Sequence, residues 1–246
     1  MRTLKQLLDK TGTVWPVIQE WLKNATNPVE VLPASEPARS EALVAAQVTT
    51  RSPVGAIIFE TGGLLIDNGW VRVLGSGHPR LPRSLPQWNL ERSAGRVRER
   101  PPFILIADDV VGGFFALNNG AFSSAPGTVH YFAPDILTWQ SMDIGYPAFL
   151  QWLLIGDIAG FFADFRWEGW EEEVSTLGGD NGFLISPLLS VEAPPVDARH
   201  RNVVPVAELY SLYVDEEDML PPGPICIQFP TQPAVTLNHP TDGGYV

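Results

Sequence analysis

The chain contains one cysteine, Cys226. No intrachain disulfide can form, and no second soft ligand stands beside that thiol for a zinc site. A reducing compartment fits this usage. The N-terminal stretch MRTLKQLLDKTGTVWPVIQEWL lacks the uninterrupted apolar run and small-residue cleavage site of a secretory signal. The most apolar run, Phe149 to Phe165, is interrupted by Asp157 and Asp164 and is too short to span a bilayer. A cytoplasmic protein without a membrane span is expected. Internal repeats, heptads and low-complexity tracts are also missing.

Basic residues become scarce halfway along. Residues 1–110 carry 13 Lys or Arg against 11 Asp or Glu, a net of +2, whereas residues 111–246 carry 3 against 17, a net of -14. The two halves sum to the chain's net charge of -12. An acidic field of this kind repels a nucleic-acid backbone and speeds encounter with basic partners. A solvated surface that keeps the protein soluble would look the same. Histidine is rare too. His78, His130, His200 and His239 never occur at the i, i+4 spacing that puts two imidazoles on one helix face, so neither a metal nor another cofactor is expected. His130, inside an alternating run, reads as a half-buried structural residue.

Against these absences, 45% of the 246 residues are hydrophobic and eight are Trp, which excludes a disordered chain and predicts substantial buried or interfacial aromatic area. Twenty-three Pro and 22 Gly predict many short elements joined by turns rather than a helical bundle. Thr3 to Leu8, Trp15 to Leu22 and the run from Ser35, with Ala38, Ala42, Leu43 and Ala46 at helical spacing, read as three helices. Val29 to Leu32 is a brief strand. Strands are expected at Ala56 to Glu60, Leu64 to Asp67 and Trp70 to Leu74, the last two joined by a hairpin at Asn68-Gly69. Phe103 to Ala107, Gly113 to Leu117 and Thr128 to Phe132 extend the sheet. Pro147 opens a helix over Tyr146 to Ile155, and Gly156-Asp157 separates it from a second over Ile158 to Phe165, with Phe161, Phe162 and Phe165 facing inward.

The expected architecture is α+β, a mostly antiparallel sheet with helices packed on one face. It forms a single domain over 1–220, with a helical segment at 1–47, a sheet-rich region at 55–133 and a helical pair at 146–165. A Pro-rich tail follows at 221–246, with Ile225 to Phe229 as a candidate edge strand. Residues 75–102 read as a long basic loop. With Trp88 as its one aromatic it is poorly suited to nucleic acid, and its arginines are expected to dock on the acidic half.

Chemistry is sparse. Leu74-Gly75-Ser76-Gly77-His78 follows a strand but lacks the lysine of a P-loop and the third glycine of a dinucleotide fingerprint, so it reads as a tight turn. Asp108 and Asp109, at a strand end, are the best carboxylate pair for acid–base or magnesium work, with Glu168 or Asp135 as third members. Acidic pairs at strand ends are also common turn formers. Trp167 and Trp170 bracket Glu168 just before Glu171, Glu172 and Glu173, an aromatic pair on an acidic rim that fits either a protein-binding patch or core packing.

The segments TGGLLIDNGWVRVLGSG (Thr61 to Gly77), GGFFALNNGAF (Gly112 to Phe122), VHYFAPDILTWQ (Val129 to Gln140), YPAFLQWLL (Tyr146 to Leu154) and DFRWEGW (Asp164 to Trp170) resemble an uncharacterised bacterial family known as a domain of unknown function. The order of strand, turn, aromatic strand and aromatic helix from Tyr146 is also similar to the SUKH superfamily, α+β domains many of which are implied to be immunity proteins that neutralise toxins. That resemblance implies a protein-binding role and carries no catalytic residue. The leading expectation is a module that binds a basic protein through Trp167, Glu168, Trp170 and Glu171 to Glu173. The rival expectations are a hydrolase-like enzyme using Asp108, Asp109 and His78, and a homo-oligomer with a structural role.

Overall fold

A computed structural model of the chain describes residues 1–8, 12–92 and 102–214. The tail with its candidate strand, Cys226, His239 and the arginines at 96, 98 and 100 lie outside the described residues. The fold is α+β. Seven strands form one antiparallel sheet in simple sequence order: β1 (Val29–Pro33), β2 (Thr61–Ile66), β3 (Val71–Leu74), β4 (Phe103–Asp109), β5 (Phe114–Asn118), β6 (Thr128–Ala133) and β7 (Thr138–Gly145). The helices before the basic segment are α1 (Leu4–Leu7), α2 (Trp15–Lys23), α3 (Ala38–Ala46), α4 (Pro53–Glu60) and α5 (Leu85–Arg92). After β7 come α6 (Tyr146–Ile155), α7 (Ile158–Phe161), a 3-10 turn at Ala163–Phe165, α8 (Trp170–Thr176) and α9 (Val206–Tyr213). A separate two-stranded ladder pairs β8 (Asn181–Ser186) with β9 (His200–Pro205).

The sequence reading of Ala56 to Glu60 as a strand is wrong: Pro53–Glu60 is helical. Ser52 caps it by accepting a hydrogen bond from the Gly55 amide, and Pro53 occupies the first helical position, where its missing N–H has no partner to lose. Six of its eight residues are buried, so no amphipathic stripe marks it as a helix. The sheet's first strand is therefore β1, paired with β2 from Val29 opposite Ile66. The β2–β3 hairpin forms as expected, but its tight turn sits one residue earlier. Asp67 (φ 51°) and Asn68 (φ 57°) take the two central positions, and the Gly69 amide closes on the Ile66 carbonyl at 3.1 Å.

Apolar packing lies on both faces of the sheet. Phe115 meets Phe149 and Trp152 of α6, and its cross-strand partner Tyr131 meets Phe161 and Phe162. On the opposite face, its neighbour Phe114 meets Tyr210 of α9, which also contacts Trp88 of α5. Every residue of β2 to β5 is buried, as side chains covered on both faces require. Phe162 and Phe165 face inward as expected, but Phe161 is 42% exposed. The basic stretch is not all loop: it carries α5, whose buried Asn89 donates to the Leu105 carbonyl and accepts from the Leu105 amide at 2.8 Å each, joining α5 to β4. Arg80 of this stretch pairs with Glu30, while Arg83 docks on Asp180 in the acidic half.

Candidate functional sites

Asp108 and Asp109 close β4, and alternation sends them to opposite faces of the sheet. Asp108 lies opposite Arg72 of β3 and is 1% exposed. One carboxylate oxygen pairs with Arg72 at 2.5 Å, and the other accepts from Arg83 at 2.6 Å. Both guanidiniums are held further. Arg72 donates to the Asp109 carbonyl at 3.0 Å and to the Asn181 carbonyl, and Arg83 to the Gly179 carbonyl at 2.7 Å and to Asp180 at 2.9 Å. Burial works against the charge on both arginines. On Arg83, Asp108 and Asp180 outweigh it and raise the pKa, whereas Arg72, which also faces Arg83, ends below its ordinary value. Both remain cations at neutral pH. This cluster locks β3, β4, the approach to α5 and the start of β8 together, and its central carboxylate is spent on two ion pairs.

Asp109 is fully buried on the other face. Its Oδ1 accepts from the amides of Val111 and Gly113 at 2.9 and 2.8 Å, and its Oδ2 from the Tyr131 hydroxyl at 2.7 Å. A Cβ at Gly113 would overlap both Asp109 Oδ2 and the Tyr131 hydroxyl, which is why glycine stands there. Burial raises the Asp109 pKa above its ordinary 3.8, partly offset by these hydrogen bonds. Burial likewise lifts Tyr131 well above 10.0. For a carboxyl whose folded pKa is raised, the stabilising contribution is complete below the unfolded pKa and is lost as pH rises to the folded value. Asp109→Asn keeps the Oδ1 acceptor and removes the titration. The urea midpoint of the wild type, relative to this variant, is therefore expected to fall as pH rises from about 4 and then to level off. A pH-independent difference would contradict the assignment.

His78 does not join these carboxylates. Its Nδ1 accepts from the Arg80 amide at 3.2 Å, so the neutral ring carries its proton on Nε2. It lines a cleft of about 690 Å³ between α3 and α5 to which neither aspartate contributes. The three residues of the enzymatic reading therefore occupy three environments, two of them closed to solvent. Asp135, in the β6–β7 turn, and Glu168 likewise make no hydrogen bond to them. His130 is 5% exposed, its Nε2 lies 2.7 Å from Ser124 Oγ and its ring stacks on Phe122 at 4.0 Å, so it fastens the loop after β5.

The residues from Trp167 to Glu173 do form a continuous feature. Trp167 is 3% exposed and packs on Trp70 and Phe183, with its Nε1 donating to Glu173 at 3.1 Å. Trp170, the first residue of α8, is partly buried edge-on against Trp70 at 5.1 Å, with the Arg166 guanidinium 4.2 Å from its ring centre. Both rings thus hold α8 to the domain. Glu173 is partly covered and pairs with Arg201 at 3.2 Å. Glu168, Glu171 and Glu172 are exposed, and none makes an ion pair within the described residues. Carboxylates in the first turn of α8 also complement the helix dipole.

The arginine partners of Asp108 and the tyrosine partner of Asp109 escape a motif search. One signal for them is present: Arg72 is a lone charge inside the apolar strand WVRVL, and such a residue requires a buried counter-charge on a neighbouring strand. The wall of the cleft contributed by α3 has no comparable mark in the sequence.

A family model described as a protein of unknown function, DUF2625, matches residues 4–209. The uncharacterized protein YbfG of Escherichia coli strain K12 is 45% identical over 212 residues, which cover 86% of this chain and 95% of the relative. An uncharacterized protein of Haemophilus influenzae is 36% identical over 219 residues, covering 89% and 96%.

Proposed function

The chain belongs to the DUF2625 family, and we propose that it is a protein-binding module whose acidic ledge, Glu168, Glu171 and Glu172, receives a basic protein. One observation carries this reading. Every arginine between residues 102 and 214 is consumed internally: Arg166 by Asp67, Arg199 by backbone carbonyls including those of Leu188 and Pro194, and Arg201 by Glu173. The ledge keeps its negative charge outward, on a helix fixed in place by two packed tryptophans. Because Trp167 is buried, the ledge offers charge with little apolar anchorage. Such a surface gives fast, salt-sensitive association rather than high affinity. We propose a basic toxin as the specific candidate, on the resemblance in segment order to immunity proteins read from the sequence alone.

Salt dependence is the first test of this reading. With a captured partner in hand, its association rate is expected to fall about tenfold or more between low and high ionic strength, measured by stopped flow. An association rate independent of salt would remove the electrostatic basis of the proposal. Across the described residues, no helix is long and apolar enough to cross a membrane.

A further inference from the structure

The cleft beside His78 lies apart from the acidic ledge and makes an independent case. Its volume of about 690 Å³ falls within the range of small-molecule sites, roughly 300–1,000 Å³. Its walls are chiefly apolar, with alanines of α3 facing prolines of the 79–86 stretch.

The polar groups at the cleft restrict what can bind there. The floor is the Ser76-Gly77-His78 turn, whose position after a strand is where a phosphate loop would stand. Its amides are already used. Ser76 N–H donates to the Thr61 carbonyl, Gly77 N–H to Gly62 and His78 N–H to Leu81, each at 3.0 Å. The Ser76 hydroxyl also turns inward to Thr61, at 2.8 Å. None of these groups can cradle an anion. Among the described residues, neither lysine nor arginine lines the cleft. Among the described residues that line it, the one formal charge is Glu41, an exposed carboxylate on α3 with no ion-pair partner among the described residues. A phosphorylated or carboxylated ligand would meet an uncompensated negative charge, whereas an amine would meet a counter-ion beside an apolar wall.

We infer that this cleft binds a small amine-bearing molecule, its ammonium paired with Glu41 and its apolar body laid against the alanine and proline walls. His78 Nε2–H and the hydroxyls of Ser35 and Ser84 supply neutral hydrogen-bonding points around that body.

Three probes of one shape test this: phenethylamine, 2-phenylethanol and 3-phenylpropionate, titrated into the full-length protein at neutral pH and followed by NMR. The amine is expected to bind at least fivefold more tightly than the alcohol, and the carboxylate more weakly than either. Glu41→Gln should bring amine and alcohol to within twofold of each other. Ala45→Trp, an exposed substitution that fills the cleft, should abolish binding of all three, with circular dichroism confirming that both variants remain folded. The inference is overturned if the carboxylate binds as well as the amine, if Glu41→Gln leaves the amine preference intact, if Ala45→Trp leaves binding unchanged, or if no probe binds.

Discussion

Asp108→Ala is expected to cost about 3–5 kcal/mol of folding stability, because it leaves two buried guanidiniums without their shared counter-charge. The remaining partners of Arg72 are carbonyl oxygens, which solvate a cation less well than a carboxylate does. Arg83 retains Asp180, which is roughly half exposed and a weaker source of compensation. Replacing Arg72 and Asp108 together, by Met and Leu, should cost less than Asp108→Ala alone, since both the charge and its demand are removed. Urea unfolding of the three proteins measures the difference. A loss below about 1 kcal/mol for Asp108→Ala would show that the cluster is not the lock described above. The same geometry leaves Asp108 itself no free oxygen, since its carboxylate is 1% exposed and shared by two arginines.

Trp70→Ala is the second large expected effect, also about 3–5 kcal/mol. Trp70 is fully buried at the end of the β2–β3 hairpin, where its indole touches Phe162 at 5.8 Å, Trp167 at 5.8 Å and Trp170 at 5.1 Å. Arg166 lies 5.0 Å from the same ring and pairs with Asp67 in the turn. Removing the indole opens a cavity between the hairpin and the segment that carries the acidic ledge. The loss should therefore be accompanied by faster amide exchange across Trp170–Thr176 than in an equally destabilised variant of the α2 region. Equal exchange in the two variants would mean that α8 does not depend on Trp70.

Much of this framework is legible in the sequence where local chemistry is strong. Asp67, Asn68 and Gly69 can adopt positive φ, so the hairpin could be located to within a residue. The alternation from Val129 to Ala133 marked β6, and Pro147 marked the start of α6. Legibility fails where burial is complete. Pro53–Glu60 is apolar all round, so a buried helix and a buried strand look alike there, and only Ser52 and Pro53 point to the helix. Strand β7 escapes for the opposite reason. As an edge strand it is largely exposed, and TWQSMDIG lacks a clean alternation. The candidate sites follow the same rule. Sequence placed Trp167 and Trp170 beside the glutamates and left a binding patch and core packing both open, because the packing depends on Trp70 nearly a hundred positions earlier. It placed Asp108 and Asp109 side by side, but the strand pleat sends them to opposite faces and into different networks.

The central claim is that the outward carboxylates of α8 bind a basic partner, and one comparison tests it most directly. Tagged wild type, Glu171→Lys/Glu172→Lys and Glu192→Lys/Glu208→Lys are used to capture partners from the host at low salt, with bound proteins quantified by mass spectrometry. The two variants change net charge equally, and Glu173 is left intact because it supports Trp167 and Arg201. The account predicts a basic protein enriched over background by wild type and by the Glu192/Glu208 variant and lost from the Glu171/Glu172 variant. Equal capture by all three would contradict it.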